Sequence, residues 1–197
     1  MLKIKIDFNS FLQRGVPNIN DDFFIRMITG YQGSGKSYLA IKLVHEDEPK
    51  NRVIRTNIKT YFELDKTIEY FEKIEDIVHD NDDNITYVVD ELSKKYNKES
   101  KIDKAFYSWL QQSRKHNRHV YLITQEYLQV PTWLRGIATN VYTTSKVPIF
   151  PIYKTILGVP YLDENCEWSI NEYFVLYYKR TRVVSSLYDT RESIDNL

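Results

Sequence analysis

The eight residues GYQGSGKS, at positions 30–37, restrict the possible folds of this chain more than any other stretch. Gly30, Gly35, Lys36 and Ser37 satisfy the pattern G-x-x-x-x-G-K-[ST], in which a loop encloses a polyphosphate with inward-pointing backbone N–H groups. Glycine permits the close approach and the φ values that such a loop requires. The pattern therefore predicts a nucleotide phosphate site, with the lysine on the β and γ phosphates and the serine hydroxyl on Mg²⁺.

The residues on either side of this loop support the same interpretation. Residues 23–29 are mostly apolar and rich in β-branched or aromatic side chains, which predicts a buried strand. After the loop, apolar residues recur at helical spacing, and a helix beginning there would present its positive N-terminal end to the anion. The alternative is a plain glycine-rich turn between a strand and a helix. The residues predicted to bind the nucleotide are Gly30, Gly33, Ser34, Gly35, Lys36, Ser37 and Tyr38.

The composition narrows the class of protein further. The 197 residues suit one α/β domain with a sizeable core and a small appendage. Lysine and arginine number 27, as do aspartate and glutamate, so any contact with nucleic acid has to be local. The single cysteine, Cys166, excludes an intrachain disulfide framework, fits a reducing cytosol and is expected to have a packing role. No transmembrane helix is predicted, because prolines and a lysine interrupt the apolar stretch 147–162.

The rest of the chain alternates between strand and helix patterns. Strands are predicted over residues 52–57, 85–91, 119–125 and 140–145, and helices over 61–79 and 105–115. Strands separated by helices predict an α/β fold: a mainly parallel, five-stranded core sheet flanked by helices, with its sites at the carboxyl edge. After Lys146 the pattern predicts a small C-terminal β extension. The predicted division is an N-terminal extension (1–22), a core (23–146) and a C-terminal extension (147–197).

The apolar segment 147–162 allows two interpretations. Its apolar side chains form either a local core or a docking surface for a protein partner, and a proline-stiffened loop is compatible with both. The apolar residues concerned are Ile149, Phe150, Ile152, Tyr153, Ile156 and Leu157.

Two carboxylates, Asp90 and Glu91, follow the apolar pair Val88 and Val89 at the end of a predicted buried strand. An aspartate at this position can hold the hydration shell of Mg²⁺, and an adjacent glutamate can orient and deprotonate an attacking water. The pair therefore favours hydrolysis of the nucleotide over transfer to a second substrate. A solvated acidic turn after a strand is the alternative.

Gln125 ends the predicted strand ITQ, where a residue serving only the core would be apolar. A neutral amide there can contact the γ phosphate or the attacking water and so sense hydrolysis. The sequence predicts this sensor role, with an ordinary polar strand end as the alternative.

The densest basic stretch, QQSRKHNRH at 111–119, lies where a predicted helix meets the next strand. Its basic residues have three possible roles: a solvated helix end, a phosphate contact to DNA, or an arginine finger that reaches a neighbouring subunit. Arg114, Arg118 and Arg135 are the finger candidates. Arg118 is placed first because it immediately precedes the strand that carries Gln125.

Together these motifs resemble those of the FtsK/HerA superfamily of P-loop ATPases. Within it, the chain is similar to the small genome-packaging ATPases of tailless, often membrane-containing viruses and to the zonula occludens toxin-like (Zot) proteins of filamentous phages. The resemblance rests on GYQGSGKS, YVVDE, SRKHNRH before a strand ending ITQ, PTWLRGIATNVYTT and the late YDTRE. It covers most of residues 23–145 and implies a RecA/FtsK-like P-loop NTPase fold.

The resemblance also implies a ring, commonly hexameric, that hydrolyses ATP with Mg²⁺ and pumps DNA through its centre. Lys36 and Ser37 would bind phosphate and Mg²⁺, Asp90 would support the metal, Glu91 would activate water and Gln125 would sense phosphate. The leading expectation is a viral genome-packaging ATPase that moves double- or single-stranded DNA into a preformed capsid. Its expected partner is a capsid or membrane vertex protein.

Two other functions stay open. A Zot-like ATPase for filamentous-phage assembly or export would act on a protein partner at a membrane. Such proteins usually carry a membrane span after the ATPase domain; none follows here, which favours a motor in the host cytoplasm or at a capsid vertex of the virion. A small-molecule kinase is disfavoured, because Glu91 suits water activation and no arginine-rich lid motif is visible.

Overall fold

Apolar runs and helical periodicities alternate along the chain and form the strands and helices of an α/β fold. A computed structural model describes residues 3–6, 23–49, 52–60, 67–147, 152–179, 181 and 184–185. The strands are β1 (Lys3–Ile6), β2 (Phe24–Thr29), β3 (Val53–Thr56), β4 (Ile68–Tyr70), β5 (Ile85–Val89), β6 (His119–Ile123), β7 (Asn140–Lys146), β8 (Ile152–Leu162) and β9 (Trp168–Lys179). The helices are α1 (Lys36–Asp47), α2 (Leu92–Lys95), α3 (Lys104–Gln111) and α4 (Thr132–Arg135), with short 3-10 helices at Ile74–Asp76 and Tyr127–Gln129.

The nine described strands form one sheet in the order β1-β9-β8-β7-β2-β6-β5-β3-β4. The five central strands, from β7 to β3, run parallel to one another. β8 is antiparallel to both of its neighbours, because short connections join it to β7 and β9. The carboxyl ends of β2, β5 and β6 therefore meet at one edge of the sheet, called here the carboxyl edge, and the opposite one is the amino edge.

β2, β5 and β6, in the middle of the sheet, are buried on both faces, which explains their nearly continuous apolar sequences. α1 covers one face, where Leu39 and Leu43 pack with Ile123. α3 and α4 cover the other face, where Trp109 and Leu134 belong to a second apolar cluster. Because α1 is fixed against the sheet, the loop that precedes it has a defined position at the carboxyl edge.

The α/β fold class is confirmed, and the five predicted core strands are contiguous in the sheet. The sheet is larger than predicted, since residues 3–6 pair with β9 on one side and β4 pairs with β3 on the other. The C-terminal β extension consists of β8 and β9, and the sheet continues without a break from β7 into β8. The division of the chain into core and extensions stays a prediction.

Two local predictions are wrong. Within the described part of the helix predicted over 61–79, residues 67–79 form β4 and a 3-10 helix, because Ile68 pairs with Ile54 at the sheet's side. Residues 61–66 of that prediction lie outside the described residues. Cys166 is exposed in the β8–β9 turn with φ +59°, so it has no packing role.

The apolar segment 147–162 becomes β8 in its described part. Tyr153 and Leu157 are buried against α1 and the neighbouring strands, which supports the local-core interpretation at these positions. Ile149 and Phe150 lie outside the described residues. No helix within the described ranges is both long enough and apolar enough to cross a lipid bilayer.

Tyr153→Ser is expected to lower the free energy of unfolding by about 3–5 kcal/mol, the usual cost of deleting a large buried aromatic ring. The Tyr153 ring stacks on Tyr38 and Tyr178 with centroid distances of 5.8 and 5.6 Å. Tyr161 lies on the same strand with an exposed side chain, so Tyr161→Ser is the matched control, with a change below about 0.5 kcal/mol. Thermal unfolding followed by circular dichroism measures both, and equal unfolding temperatures would contradict the core position of Tyr153.

Candidate nucleotide-binding site

The loop between β2 and α1 keeps its shape because two of its residues are glycine. Gly30 has φ +148°, and a Cβ atom there would lie 2.4 Å from the carbonyl oxygen of Thr144. Gly35 has φ +89°, and a Cβ atom there would lie 2.6 Å from the ring of Tyr153. Side chains rarely adopt either conformation, so both positions require glycine.

Two hydrogen bonds tie this loop to the neighbouring strands. The Gly30 N–H donates to the carbonyl oxygen of Gln125 at 2.9 Å. The hydroxyl groups of Ser34 and Thr144 form a 2.8 Å hydrogen bond, and both residues are buried. The Ser34 side chain therefore positions the loop against β7.

Tyr38, predicted to bind the nucleotide, directs its side chain into the core. The ring packs against both Tyr153 and Tyr178, and its hydroxyl accepts a hydrogen bond from the Thr181 N–H at 2.9 Å. The predicted contact cannot come from this side chain, which lies on the inner face of α1. Only the backbone N–H of Tyr38, in the first turn of the helix, remains for a phosphate.

Lys36 lies at the beginning of α1 and reaches back over the loop. Its Nζ donates to the carbonyl oxygen of Tyr31 at 3.1 Å. Burial lowers the pKa of Lys36, while the nearby Asp90 carboxylate opposes the shift. The ammonium group is thus held by a neutral acceptor, and a phosphate oxygen would bind it more strongly because that hydrogen bond is charge-assisted.

Ser37 and Asp90, the two predicted metal ligands, are in direct contact. The Ser37 hydroxyl donates to Oδ2 of Asp90 at 2.9 Å, which joins the start of α1 to the end of β5. Burial raises the pKa of Asp90, against hydrogen bonds from the Glu91 N–H and from Ser37. A buried carboxylate gains from an adjacent cation, and hydroxyl and carboxylate oxygens suit Mg²⁺. These residues therefore fit the metal of a nucleotide–magnesium complex.

Asn57 belongs to no sequence motif, yet it holds the turn that follows β5. Its side-chain amide donates to the Asp90 carbonyl oxygen at 3.1 Å and accepts from the Asp90 N–H at 2.8 Å. Glu91 comes next with φ +57°, an uncommon value for a residue with a side chain. The sequence signal that could have identified Asn57 is its position directly after β3, because β3 lies beside β5 in the sheet.

The carboxylate of Glu91 is engaged by a lysine in this arrangement. Nζ of Lys94, in α2, lies 2.5 Å from Oε2 of Glu91, and the two side chains are 50% and 48% exposed. The predicted water-activating residue is therefore at the carboxyl edge, next to Asp90. Its negative charge is paired with Lys94 of α2, the helix that directly follows it.

Gln125 lies just beyond β6 at the same edge and is exposed. Its carbonyl oxygen accepts the Gly30 N–H described above, so its backbone is attached directly to the phosphate loop. Its sensor role stays a prediction.

The basic stretch 111–119 lies at the amino edge, because it connects α3 to the start of β6. The Arg118 side chain is fully buried and donates to the carbonyl oxygens of Trp109 at 3.2 Å and of Asp80 at 2.6 Å. An arginine finger has to reach another subunit, so the ranking of Arg118 as the first finger candidate is wrong. Its guanidinium group donates to backbone carbonyl oxygens inside the fold.

The other basic residues differ from one another in exposure and in their contacts. Arg135 is buried and donates to the Trp168 carbonyl oxygen at 3.3 Å, which makes it a poor finger for the same reason. His116 pairs through Nδ1 with Asp83 at 2.7 Å. Arg114 is exposed, with its guanidinium 5.7 Å from the centre of the Phe23 ring. Of the three finger candidates, Arg114 alone is accessible.

Binding of magnesium nucleotide is expected to weaken on acidification at a higher pH than an ordinary aspartate would give. Burial raises the pKa of Asp90, so its protonated form, a poor Mg²⁺ ligand, persists to higher pH. A higher Mg²⁺ concentration should shift the pH at which binding is lost to a lower value, by mass action. Calorimetric titrations across pH at two Mg²⁺ concentrations measure it, and Asp90→Asn is the control that should remove the magnesium-dependent shift. If the pH at which binding is lost does not depend on the Mg²⁺ concentration, Asp90 is not a Mg²⁺ ligand.

The phosphate loop between a strand and a helix, with a serine–aspartate pair at the carboxyl edge of a parallel sheet, defines the fold of the P-loop NTPases. The model of the Zonular occludens toxin (Zot) family matches residues 24–157. This chain belongs to the Zot family. None of the curated proteins matches it.

Solved structures with the same fold include viral and cellular proteins. The N-terminal domain of zonular occludens toxin from Neisseria meningitidis is 20% identical, with a TM-score of 0.57 over 84% of this chain and 98% of that one. The genome packaging NTPase B204 from Sulfolobus turreted icosahedral virus 2, in complex with sulfate, is 13% identical, with a TM-score of 0.54 over 78% and 96%. The RadB recombinase is 17% identical, with a TM-score of 0.53 over 85% and 91%.

Proposed function

We propose that this protein is an ATP-hydrolysing DNA translocase, and specifically a viral genome-packaging ATPase that moves DNA into a preformed capsid. The observation that carries the proposal is the 2.9 Å contact between Ser37 and Asp90, with Glu91 next in the chain. It brings the phosphate loop, two metal ligands and a water-activating carboxylate to one edge of the sheet. The similarity in fold to the packaging NTPase B204 supports the viral setting.

The chain's own groups suggest the following order of events. The phosphates of ATP enter the loop, and Lys36 moves from the Tyr31 carbonyl to the β and γ phosphates. Ser37 and Asp90 would provide oxygen ligands for Mg²⁺, and the charge of the metal would neutralise the phosphates. Glu91 orients a water molecule towards the γ phosphorus and accepts its proton, as the new P–O bond forms and the bond to ADP breaks.

Gln125 links this chemistry to the rest of the domain. Its side chain contacts the γ phosphate or the attacking water, and its backbone carbonyl holds Gly30. Loss of the γ phosphate therefore changes the contacts at the end of β6.

Translocation is tested by displacement of a third strand from a DNA triplex. Wild-type protein should displace it only with hydrolysable ATP, and Glu91→Gln should bind the DNA without displacing the strand. Rapid ATP hydrolysis on bound DNA with no displacement would contradict translocation.

Ring assembly, with hexamers as the expected form, is tested through Arg114. Arg114 is exposed at the amino edge, away from its own phosphate loop, as a finger supplied to a neighbour has to be. Lys36→Ala and Arg114→Ala proteins, each inactive alone, should recover part of the activity when mixed, because some interfaces then pair an intact loop with an intact arginine. Lys115→Ala, the exposed neighbour, is the control and should stay active alone. Sedimentation with ATP and DNA has to show assembly first; assembled mixtures without recovery would contradict the finger.

The family match over residues 24–157 favours a second candidate, a Zot-like ATPase for filamentous-phage assembly or export. Such a protein would act on a protein partner at a membrane, so its hydrolysis should respond to that partner or to membranes and not to DNA. Phosphate release measured with DNA and with lipid vesicles separates the two functions.

A further inference from the structure

Residues 92–104, called here the lysine segment, carry five lysines against two acidic residues, although positive and negative charges are equal in number over the whole chain. The segment directly follows Glu91 and leaves the end of β5, so it lies at the carboxyl edge beside the candidate site. Its lysines, all exposed, are Lys94, Lys95, Lys98, Lys101 and Lys104.

The lysine segment is folded against the domain and presents its lysines from a defined surface. The Tyr96 hydroxyl donates to Oδ2 of Asp103 at 2.6 Å, which joins the two ends of the segment. Nε1 of Trp133 donates to the Ser100 carbonyl oxygen at 3.3 Å and holds the middle. The Tyr96 ring, buried, stacks on Phe106 of α3 at 5.6 Å.

Much of the positive charge on this surface is not neutralised. Asp103 is engaged within the fold, since it caps α3 through the Phe106 N–H at 3.1 Å and lies 3.5 Å from Lys95. Among the described residues, no ion-pair partner within 4.0 Å is found for Lys98, Lys101 or Lys104. Adjacent unpaired cations on a fixed surface attract a polyanion through counterion release.

The lysine segment differs from the basic stretch 111–119 in the two respects that matter for contact with DNA. Arg118 of that stretch is buried and its neighbours lie at the amino edge, far along the strands from the phosphate loop. All five lysines of the lysine segment are exposed, whereas of the basic residues in 111–119 only Arg114 and Lys115 are, and the lysine segment begins directly after Glu91.

We propose that the lysine segment binds the phosphate backbone of DNA and that Lys94 transmits this contact to Glu91. The inference rests on the proposed function and identifies the surface and the regulation through which DNA acts on the site. A DNA phosphate on Lys98 and Lys101 competes with the Glu91 carboxylate for the Lys94 ammonium group. When Lys94 turns to the DNA, Glu91 is released to orient water, and hydrolysis accelerates.

The binding half is tested with the triple variant Lys98→Gln, Lys101→Gln and Lys104→Gln. Fluorescence anisotropy with labelled DNA, over a range of salt concentrations, should show a slope of log K against log salt that is smaller in magnitude by about two to three, from about 0.7–0.9 for each lost phosphate contact. The matched control replaces the same three lysines by arginine and should keep the wild-type slope, because it keeps the charges. Lys115→Gln, an exposed lysine at the amino edge, should also leave the slope unchanged.

The coupling half is tested with Lys94→Gln. Without DNA, this variant should hydrolyse ATP about two- to fivefold faster than wild type, since an exposed ion pair shifts a population by no more than about that factor. The additional stimulation by DNA should shrink accordingly. Lys94→Arg keeps the ion pair and should behave as wild type.

The outcomes separate this inference from the function on which it rests. A wild-type protein that binds no DNA even at low salt contradicts both. DNA binding that the triple glutamine variant retains with an unchanged salt slope contradicts the binding surface alone, and Lys94→Gln with wild-type basal and stimulated rates contradicts the coupling. Stimulation by poly-L-glutamate without any response to DNA would overturn DNA as the partner.

Discussion

Lys36→Ala is expected to lower ATP hydrolysis by about a hundredfold or more, the usual effect of removing one preorganised group that stabilises developing charge. Within the described residues, the Lys36 ammonium group donates one hydrogen bond, to the Tyr31 carbonyl oxygen. It is therefore available for a phosphate. Because burial lowers the pKa of this lysine, the cation gains from a phosphate oxygen beside it. Phosphate release at saturating ATP and Mg²⁺ measures the effect.

The fold should survive this change, since the side chain belongs to neither apolar cluster. Lys115→Ala, at the amino edge, serves as the matched control and should keep its activity. Equal unfolding temperatures for the three proteins would establish that the loss is local. An alanine variant with activity within about twofold of wild type would remove the P-loop ATPase function.

Glu91→Gln is expected to separate binding from turnover. The glutamine keeps the size of the side chain but cannot accept a proton from water, so hydrolysis should fall by about a hundred- to ten-thousandfold. Nucleotide and Mg²⁺ binding should persist, because their proposed ligands are Lys36, Ser37 and Asp90. Calorimetric titration with ATP, beside single-turnover hydrolysis, measures the two quantities.

Glu126→Gln is the matched control, since Glu126 is exposed at the same edge of the sheet but follows β6 and not β5. It should hydrolyse ATP at a rate close to that of the wild type. If Glu91→Gln loses nucleotide affinity as strongly as it loses turnover, Glu91 acts in binding and not as the water-activating base.

The phosphate loop and the carboxylate pair were predictable because their information is local. Gly30 and Gly35 are required by the φ values and close contacts of their own turn. Asp90 follows an apolar run whose burial on both faces defines a central strand, and the position of that strand brings its end to the loop. Parallel strands separated by helices leave few other arrangements.

The errors concern features that depend on tertiary packing. A guanidinium after a helix gives the same sequence signal whether it faces solvent or, as Arg118 does, donates to carbonyl oxygens from two other segments. Tyr38 follows the predicted phosphate-binding residues in sequence, but its position on α1 directs its ring towards Tyr153 and Tyr178 of the C-terminal strands. Asn57 became visible as a support of Asp90 only when β3 was found beside β5.

The positions of the two basic surfaces, 111–119 and the lysine segment, also depend on tertiary structure. The stretch 111–119 has the higher local density of basic residues, but the sheet directs it to the amino edge and buries Arg118. The lysine segment is more dilute in sequence, and its proximity to Glu91 follows from the end of β5. Sequence density alone could not rank the two surfaces.

The most direct test of the account is steady-state phosphate release from ATP by the purified wild-type protein, with and without DNA, in the presence of Mg²⁺. We expect magnesium-dependent hydrolysis that DNA stimulates and that Glu91→Gln abolishes under both conditions. Hydrolysis that is absent with and without DNA, although ATP binds, or hydrolysis that Glu91→Gln retains, would contradict the proposal that this site drives movement along DNA.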